Sequence, residues 1–260
     1  MRENGRTALA AQAFRAPYHL SKPYWDDVAK TLLVQVVNPT AGILSGDRRD
    51  SDIAVEAGAS LLVTTPSASR VFQMKDGTAE CRQSFSVAAG AWLEVMPEPL
   101  VPHRGSSYRQ TTRIAVDAGG ELFFADLLMP GRVAHAEAWE WAKLCLETEV
   151  RLGGELILKE RFEQTGSDLR ALAEFAGSGA GACFGNAVLV GERAGEPDWR
   201  AAINALHGDG LWIGMSVLRR GGWSIKFVAS DGVRLRRALR DIRAALGGSF
   251  PRLTCDPRKL

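Results

Sequence analysis

Two carboxylate side chains, Asp126 and Glu160, are candidates for a functional site because of their positions relative to rows of apolar residues. Each lies two residues beyond an apolar position in a segment whose side chains alternate between apolar and polar. If the alternation continues, both carboxylates lie on the core-facing row of a β-strand. Because a buried carboxylate is costly unless it is paired or hydrated, this placement predicts a polar cavity or channel inside the fold. The alternative is that the strands have already ended and that both groups face water.

A loop rich in small residues supplies a third carboxylate. It runs from Asn38 and Pro39 through Gly42 and Gly46 to Asp47. The two glycines permit a tight turn in which the backbone approaches its neighbours closely. We expect this turn to present the Asp47 side chain.

A polar corner, Thr64–Arg70, forms the third candidate segment. It contains Thr65, Pro66 and Arg70, together with three further small residues. Turn chemistry alone can explain this composition.

Motifs typical of common enzyme classes do not occur in the sequence. It has no phosphate-binding glycine–lysine loop, no zinc-protease motif and no serine-nucleophile motif. The histidines and cysteines are widely separated and show no metal-ligand spacing. The sequence therefore offers no motif that predicts a common enzyme class or a tight metal site. A hydrolase with Asp126 and Glu160 as an acid–base pair is the alternative; it requires a separation of about 5–9 Å across a substrate cleft.

Composition limits the class of protein. The 260 residues are 46% hydrophobic and 24% charged, with 32 basic and 30 acidic side chains. This balance indicates a globular chain without the basic surface that nucleic-acid binding requires. No apolar run approaches the ~20 residues of a membrane span, and the four scattered cysteines favour a reducing, cytoplasmic compartment.

A pattern of Val-x-x-Gly-small-x-Leu-x-apolar occurs four times and must position the carboxylates. Its glycines, Gly58, Gly90, Gly119 and Gly153, are 32, 29 and 34 residues apart. Each copy predicts a β-hairpin with an apolar face, and a single hairpin cannot bury that face alone. We therefore expect the copies, over residues 50–165, to stack into solenoid-like layers. Four unrelated hairpins with similar turns are the alternative.

The flanking regions complete one predicted domain over residues 1–260. Two strands, Leu211–Leu218 and Trp223–Ala229, should form a hairpin, followed by a helix that begins near Ser230 or Asp231 and ends at Gly247. A weaker helical pattern covers Asp198–Leu206. The fold class is thus mainly β, with one or two helices toward the C-terminus. The arginines of the last helix indicate either a solvated face or a docking surface for an acidic partner.

Several of these segments together resemble the urease accessory protein D family, which is called H in some organisms. The resemblance rests on Asn38–Asp47 and Gly58–Arg70, and it continues through Gly90–Pro99, Asp126–Arg132 and Leu158–Arg161. It covers nearly the whole chain in the right order. The first two segments together are specific, although each alone is weak.

The resemblance implies a non-catalytic chaperone for nickel insertion into urease. Members of the family bind a helical accessory protein F, which in turn docks the GTPase accessory protein G, and the assembly engages apo-urease. The resemblance further implies that nickel passes in transit through a water-filled tunnel, so no permanently bound cofactor is expected. A protein–protein assembly module built from β-repeats, without any role in metal transfer, is the alternative.

Matching this sequence to the family assigns roles to particular residues. Asp47 matches a Gly-Asp motif, Asp126 the acid before Leu-Leu, and Glu160 with Arg161 a Glu-Arg motif; the resemblance places the three carboxylates along the nickel path. Arg70 stands where the family more often has lysine. Arg48 occupies a position that is often acidic, which weakens any role for position 48 on that path.

Overall fold

The computed structural model describes residues 1–175, 179, 181–195, 198–208 and 210–258. The glycine-rich segment 177–181, whose composition predicts a loop, lies largely outside these residues. The first half of the chain is formed almost entirely of strands. They are β1 Arg2–Glu3, β2 Arg6–Thr7, β3 His19–Leu20, β4 Tyr24–Asp26, β5 Thr31–Val37, β6 Arg48–Val55, β7 Ser60–Thr64, β8 Ser69–Val71, β9 Ala79–Val87 and β10 Trp92–Met96.

The second half adds ten strands and three α-helices among the described residues. The strands are β11 Leu100–Pro102, β12 Ser107–Val116, β13 Glu121–Leu128, β14 Gly131–Arg132, β15 Glu137–Ala138, β16 Lys143–Leu152, β17 Glu155–Gln164, β18 Cys183–Val190, β19 Leu211–Val217 and β20 Trp223–Ala229. The helices are α1 Gly166–Phe175, α2 Asp198–Asn204 and α3 Gly232–Leu246. Short 3-10 turns lie at Val133–His135, Glu192–Gly195 and Pro251–Thr254.

Two sheets face each other and confirm the prediction of a mainly β fold with stacked layers. The five-stranded sheet has the order β17-β16-β12-β9-β6, and the larger sheet follows the path β19-β20-β18-β13-β10-β7-β5-β3. In the first three copies of the repeat, the strand before the glycine lies in the five-stranded sheet and the strand after it lies in the larger sheet. Successive copies pair in parallel and in register, so that Val55 lies beside Val87 and Val87 beside Val116.

The hairpin expected within each copy is wrong for the first three copies, which form arches between the two sheets. Only the fourth copy, β16–β17, is an antiparallel hairpin. Its strands are joined by two residues, Gly153 and Gly154, both with positive φ, as a tight hairpin turn requires. Four residues join the strands of the other copies, and their backbone groups bond to the next copy instead: Trp92 N–H donates to the Ala59 carbonyl at 2.9 Å.

Apolar side chains fill the space between the sheets at the end that carries the glycine turns. The arch makes the two alternating rows of each copy face each other, which buries both rows without any helix between them. These rows supply the core between the sheets. They include Val55, Val63, Phe85, Val87, Leu93, Val95, Ile114, Val116, Leu122, Phe124 and Val150.

The opposite face of the larger sheet is covered by α2 and α3. The predicted last helix is confirmed: the Asp231 carboxylate caps it by accepting from the Val233 and Arg234 amides, both at 2.8 Å. Its buried stripe packs on the sheet residues Trp92, Phe123, Leu189 and Ile225. That stripe consists of Leu235, Ala238, Leu239, Ile242 and Leu246.

A buried ion pair joins α3 to the centre of the larger sheet. Glu94 on β10 is fully buried, and Arg243 is 7% exposed. The Arg243 guanidinium donates to both Glu94 oxygens, at 2.6 and 3.2 Å, and to the Cys255 carbonyl at 2.9 Å. Burial raises the pKa of the Glu94 carboxyl, and the Arg243 charge opposes that rise. The helix pattern predicted that the arginines of this helix form a solvated or docking face. For Arg243 this prediction is wrong, because its side chain is buried.

Replacing Arg243 by methionine should leave Glu94 buried without a counter-charge. We expect Arg243→Met to lower the free energy of unfolding by about 3–5 kcal/mol. Arg237→Met is the matched control, because Arg237 on the same helix forms only an exposed pair with Asp241 at 3.7 Å; its cost should stay within about 0.5 kcal/mol. Denaturant unfolding measures both, and equal losses would contradict a structural role for the buried pair.

Candidate functional site

A cavity of about 810 Å³ lies between the two sheets, beyond the apolar rows. It forms because the inward-facing positions change from large apolar to polar side chains as the strands run away from the glycine turns. The loops that carry Asn38 and Thr65 border it on one side, and β19 and β20 border it on another. The structure therefore has a cavity inside the repeat array, as the sequence predicts, and Asp126 and Glu160 line it; most of its wall is apolar, with polar side chains grouped on the two facing sheets.

The five-stranded sheet contributes a row of polar side chains to this space. Register pairing places them side by side across β6, β9, β12, β16 and β17. The Thr112 hydroxyl donates to the Gln83 side-chain carbonyl at 3.1 Å, which fixes the centre of the row. The row consists of Ser51, Gln83, Thr112, Thr148 and Glu160, and all of them except the fully buried Thr112 line the cavity.

The facing sheet contributes a second polar row. Asp126 on β13 pairs in register with Asn186 on β18, and Asn186 pairs with Lys226 on β20. Asp126 and Glu160 thus come from opposite sheets and line the same cavity. Neither strand has ended at these positions, so the alternative in which both groups face bulk water is wrong.

Asp126 is a carboxyl with an unusual proton affinity. Burial raises its pKa to about 7; a hydrogen bond with Gln110 opposes the rise and the Glu160 charge adds to it. The surface that Asp126 retains faces the cavity. Near neutral pH the group is therefore divided between its protonated and ionised forms, and a bound cation would favour the ionised form.

Glu160 is held by two partners on the facing sheet. The Lys226 ammonium lies 2.7 Å from Glu160 Oε1, and Asn186 Nδ2 donates to Glu160 Oε2 at 3.3 Å. The pair joins β17, the terminal strand of one sheet, to β20 of the other. Arg161, predicted beside Glu160 in the Glu-Arg motif, points to the opposite face of β17 and pairs there with Glu163.

Asp47 does not line the cavity but is linked to it through Arg49. The Asp47 carboxylate accepts from the Leu44 amide at 2.9 Å and from Arg49 Nη2 at 3.3 Å. Arg49 is 6% exposed, lines the cavity and also donates to the Gly42 carbonyl at 3.0 Å. The predicted turn is present, with Gly46 at φ +76°.

Gly42 is required by close packing rather than by its backbone angle. A Cβ atom at this position would lie 2.6 Å from the Arg70 carbonyl and closer still to the Phe72 ring. Asn38 holds the start of the same loop, since its side-chain oxygen accepts from the Thr40 amide and hydroxyl at 3.2 and 2.8 Å. Pro39 is exposed between them.

The polar corner borders the cavity on the side of these loops. Thr65 accepts a hydrogen bond from the Glu98 amide at 2.9 Å, which ties the first copy of the repeat to the second. Pro66 and Arg70 also line the opening, and the Arg70 side chain is exposed. Thr65, Pro66 and Arg70 thus lie at the rim, whereas Asp126 and Glu160 lie inside.

A cluster missed by the sequence interpretation lies beside Arg49. Cys81, Tyr108 and Tyr18 line the same part of the cavity, and Tyr108 donates to Gln110 Oε1 at 3.0 Å. Burial raises the pKa of the Cys81 thiol and of both tyrosine hydroxyls, so all three are neutral at pH 7. A neutral thiol is a poor metal ligand compared with a thiolate.

The ligand chemistry of the cavity is dominated by oxygen. Among the described residues, no group of three or more histidine, cysteine, aspartate or glutamate side chains is arranged to hold a metal ion. Carboxylate, amide and hydroxyl oxygens are spread along the walls instead. Such a lining can contact a hydrated divalent cation at successive points without enclosing it.

Comparison with known proteins identifies the family. The family model described as "UreD urease accessory protein" matches residues 1–259. A urease accessory protein UreD from Opitutus terrae is 64% identical over 256 residues, which cover 98% of this chain and 94% of that protein.

The chain belongs to the UreD urease accessory protein family.

More distant members share shorter regions. UreD of Acetivibrio thermocellus is 28% identical over 157 residues, covering 60% of each chain. UreD of Yersinia enterocolitica is 39% identical over 132 residues, covering 50% of this chain and 41% of that protein. Membership of an accessory-protein family implies a role in urease maturation, in association with urease and other accessory proteins. Among the described residues, no helix is both long and apolar enough to cross a membrane.

The raised pKa of Asp126 predicts a specific pH dependence of stability. The folded protein holds this proton between about pH 4 and 7, where the unfolded chain releases it, so the contribution is lost as pH rises through about 7. Asparagine cannot titrate, so Asp126→Asn should not show this loss. Between pH 5 and pH 8 the free energy of unfolding of wild type should fall by about 2 kcal/mol more than that of the variant. This value is lower than burial alone would give, because water in the cavity partly hydrates the carboxylate.

The control for this pH series is Asp52→Asn, on the exposed outer face of β6. Near Asp126, Glu160 and Lys226 form an ion pair and Cys81 stays protonated over this range, so the difference between variant and wild type isolates Asp126. Parallel pH profiles for wild type and Asp126→Asn would show that Asp126 has no unusual proton affinity.

Proposed function

We propose that this protein passes nickel toward the active site of apo-urease through the cavity between its two sheets. The observation that carries the proposal is the placement of Asp126 and Glu160 on facing walls of one cavity. Family membership supports the urease role, and the resemblance of the sequence motifs supports nickel as the cargo. The protein acts in this account as a chaperone without catalysis of its own.

The residues of the cavity would guide a hydrated cation rather than trap it. Asp126 and Glu160 supply negative charge from opposite walls, and Gln83, Thr148 and Asn186 supply neutral oxygens between them. Each contact replaces at most part of the hydration shell, so no single position binds tightly enough to stop the ion. Clustered thiolates or imidazoles would hold nickel much more strongly.

Asp47 contributes to the proposed nickel path only through its ion pair with Arg49. Its carboxylate fixes the loop of Asn38 and Gly42 at the rim and neutralises a buried guanidinium that faces the cavity. We therefore assign Asp47 to the shape and charge of the opening, while Asp126 and Glu160 contact the ion.

The proposed partners follow the family resemblance. They are accessory protein F, the GTPase accessory protein G bound through F, and apo-urease, in a cytoplasmic assembly. The near balance of 32 basic and 30 acidic residues supports protein partners rather than nucleic acid or a membrane surface.

Removing either interior carboxylate should impair urease activation without preventing assembly. We expect Asp126→Asn and Glu160→Gln each to reduce the urease activity obtained under limiting nickel by about tenfold, the scale of one lost group in a metal site. The matched control is Glu163→Gln, because Glu163 lies on the same strand but pairs with Lys143 and Arg161 on the opposite face.

Co-purification with accessory proteins F and G and apo-urease separates transfer from assembly. All variants should retain the partners if the carboxylates serve the ion. Full activation by both interior variants would contradict the nickel path and favour the assembly module without a metal role.

A further inference from the structure

The ion pair between Glu160 and Lys226 occupies the place where a cation would bind. Lys226 reaches from β20 across to β17, and its ammonium lies 2.7 Å from Glu160 Oε1. This is the distance at which a compact cation contacts a carboxylate oxygen directly. A divalent ion that binds Glu160 at this position must therefore displace the lysine.

A third oxygen at the same place lacks a partner. Asn186 lies between Asp126 and Lys226 in the register of the larger sheet. Its Nδ2 donates to Glu160, while its Oδ1 is buried and accepts no hydrogen bond from any described residue. A buried acceptor without a donor is costly, and a cation or its water of hydration would satisfy it.

Exposure shows that Lys226 can leave. Its side chain is 61% exposed, whereas that of Glu160 is 27% exposed. An ammonium that withdraws to solvent recovers its hydration, so an ion pair of this kind is weak. Glu160 cannot withdraw in the same way, because it faces the cavity from a paired strand.

We propose that Lys226 is an exchangeable internal cation that fills the ion position at Glu160, Asn186 and Asp126 and is displaced by each incoming divalent ion. This inference rests on the proposed nickel path. Lys226 closes the edge of the cavity between β17 and β20 when no cargo is present, and its return helps to release the ion. It is a positioning residue, since it sets occupancy of the path without contacting the cargo.

Equilibrium titration of the purified full-length chain with nickel(II) alone tests the exchange. Lys226→Met removes the competing charge, so the variant should bind nickel about 3- to 5-fold more tightly than wild type, the scale of one exposed ion pair. Lys226→Arg keeps a competing cation and should bind like wild type. Lys143→Met is the matched control, because Lys143 forms a pair of the same 2.7 Å length with Glu163 on the outer face; it should also bind like wild type.

A second uncharged variant guards against misfolding. Lys226→Gln can still donate a hydrogen bond to Glu160 and should show the same gain in affinity, with thermal unfolding confirming that each variant is folded. Adding Asn186→Leu to Lys226→Met should reverse much of the gain, because the unpartnered oxygen is lost.

The outcomes distinguish this inference from the function on which it rests. If both uncharged variants bind nickel within twofold of wild type while Glu160→Gln loses binding, the ion path stands and the exchange is wrong. If Glu160→Gln and Asp126→Asn bind nickel like wild type, the ion path itself is wrong. A gain in affinity with Lys143→Met equal to that of Lys226→Met would also overturn the exchange.

Discussion

In-register parallel stacking of β6, β9, β12 and β16 is the constraint on which the rest of the structure depends. It places equivalent positions of successive copies side by side, so that one residue type repeated in each copy becomes a row across the sheet. Valine and isoleucine near the glycine turns thereby form the core. Polar residues four and six positions before Val55 and Val87 form part of the cavity wall by the same rule. The apolar core and the cavity wall are therefore formed by the same strands, the core near the glycine turns and the cavity farther from them.

Charge in the cavity and at its rim is balanced without cargo, by an ion pair in two cases and by a proton in the third. Glu160 pairs with Lys226, Asp47 pairs with Arg49, and Asp126 holds a proton near neutral pH because burial raises its pKa to about 7. A cavity lined by unpaired carboxylates would be costly to form and would retain a divalent ion. Compensation by a lysine that can move and by a proton that can dissociate makes the cavity less costly to form. It also weakens the retention of a divalent ion, as a passage requires and a storage site does not.

The sequence predicted the layers but not the arches, because similar glycine turns can form either an arch or a hairpin. Copies three and four both contain Gly-Gly, yet Gly119-Gly120 turns the chain between sheets while Gly153-Gly154 closes a hairpin. The alternation that follows the glycine in copies three and four predicts the inward positions of Asp126 and Glu160. The same alternation, extended toward the N-terminus from Val55 and Val87, includes Arg49 and Cys81, so the inward positions of these two residues were also predictable from the sequence. Lys226 and Asn186 lie on antiparallel strands outside the repeat, and no spacing in the sequence relates them to Glu160.

The most direct test of the central claim is a crystal structure with nickel(II), with anomalous scattering recorded at the nickel absorption edge. The account predicts an anomalous peak inside the cavity, between the carboxylates of Asp126 and Glu160, with the Lys226 ammonium moved away from Glu160. Peaks confined to the outer surface, with the Lys226–Glu160 pair intact in a nickel-bound crystal, would contradict it.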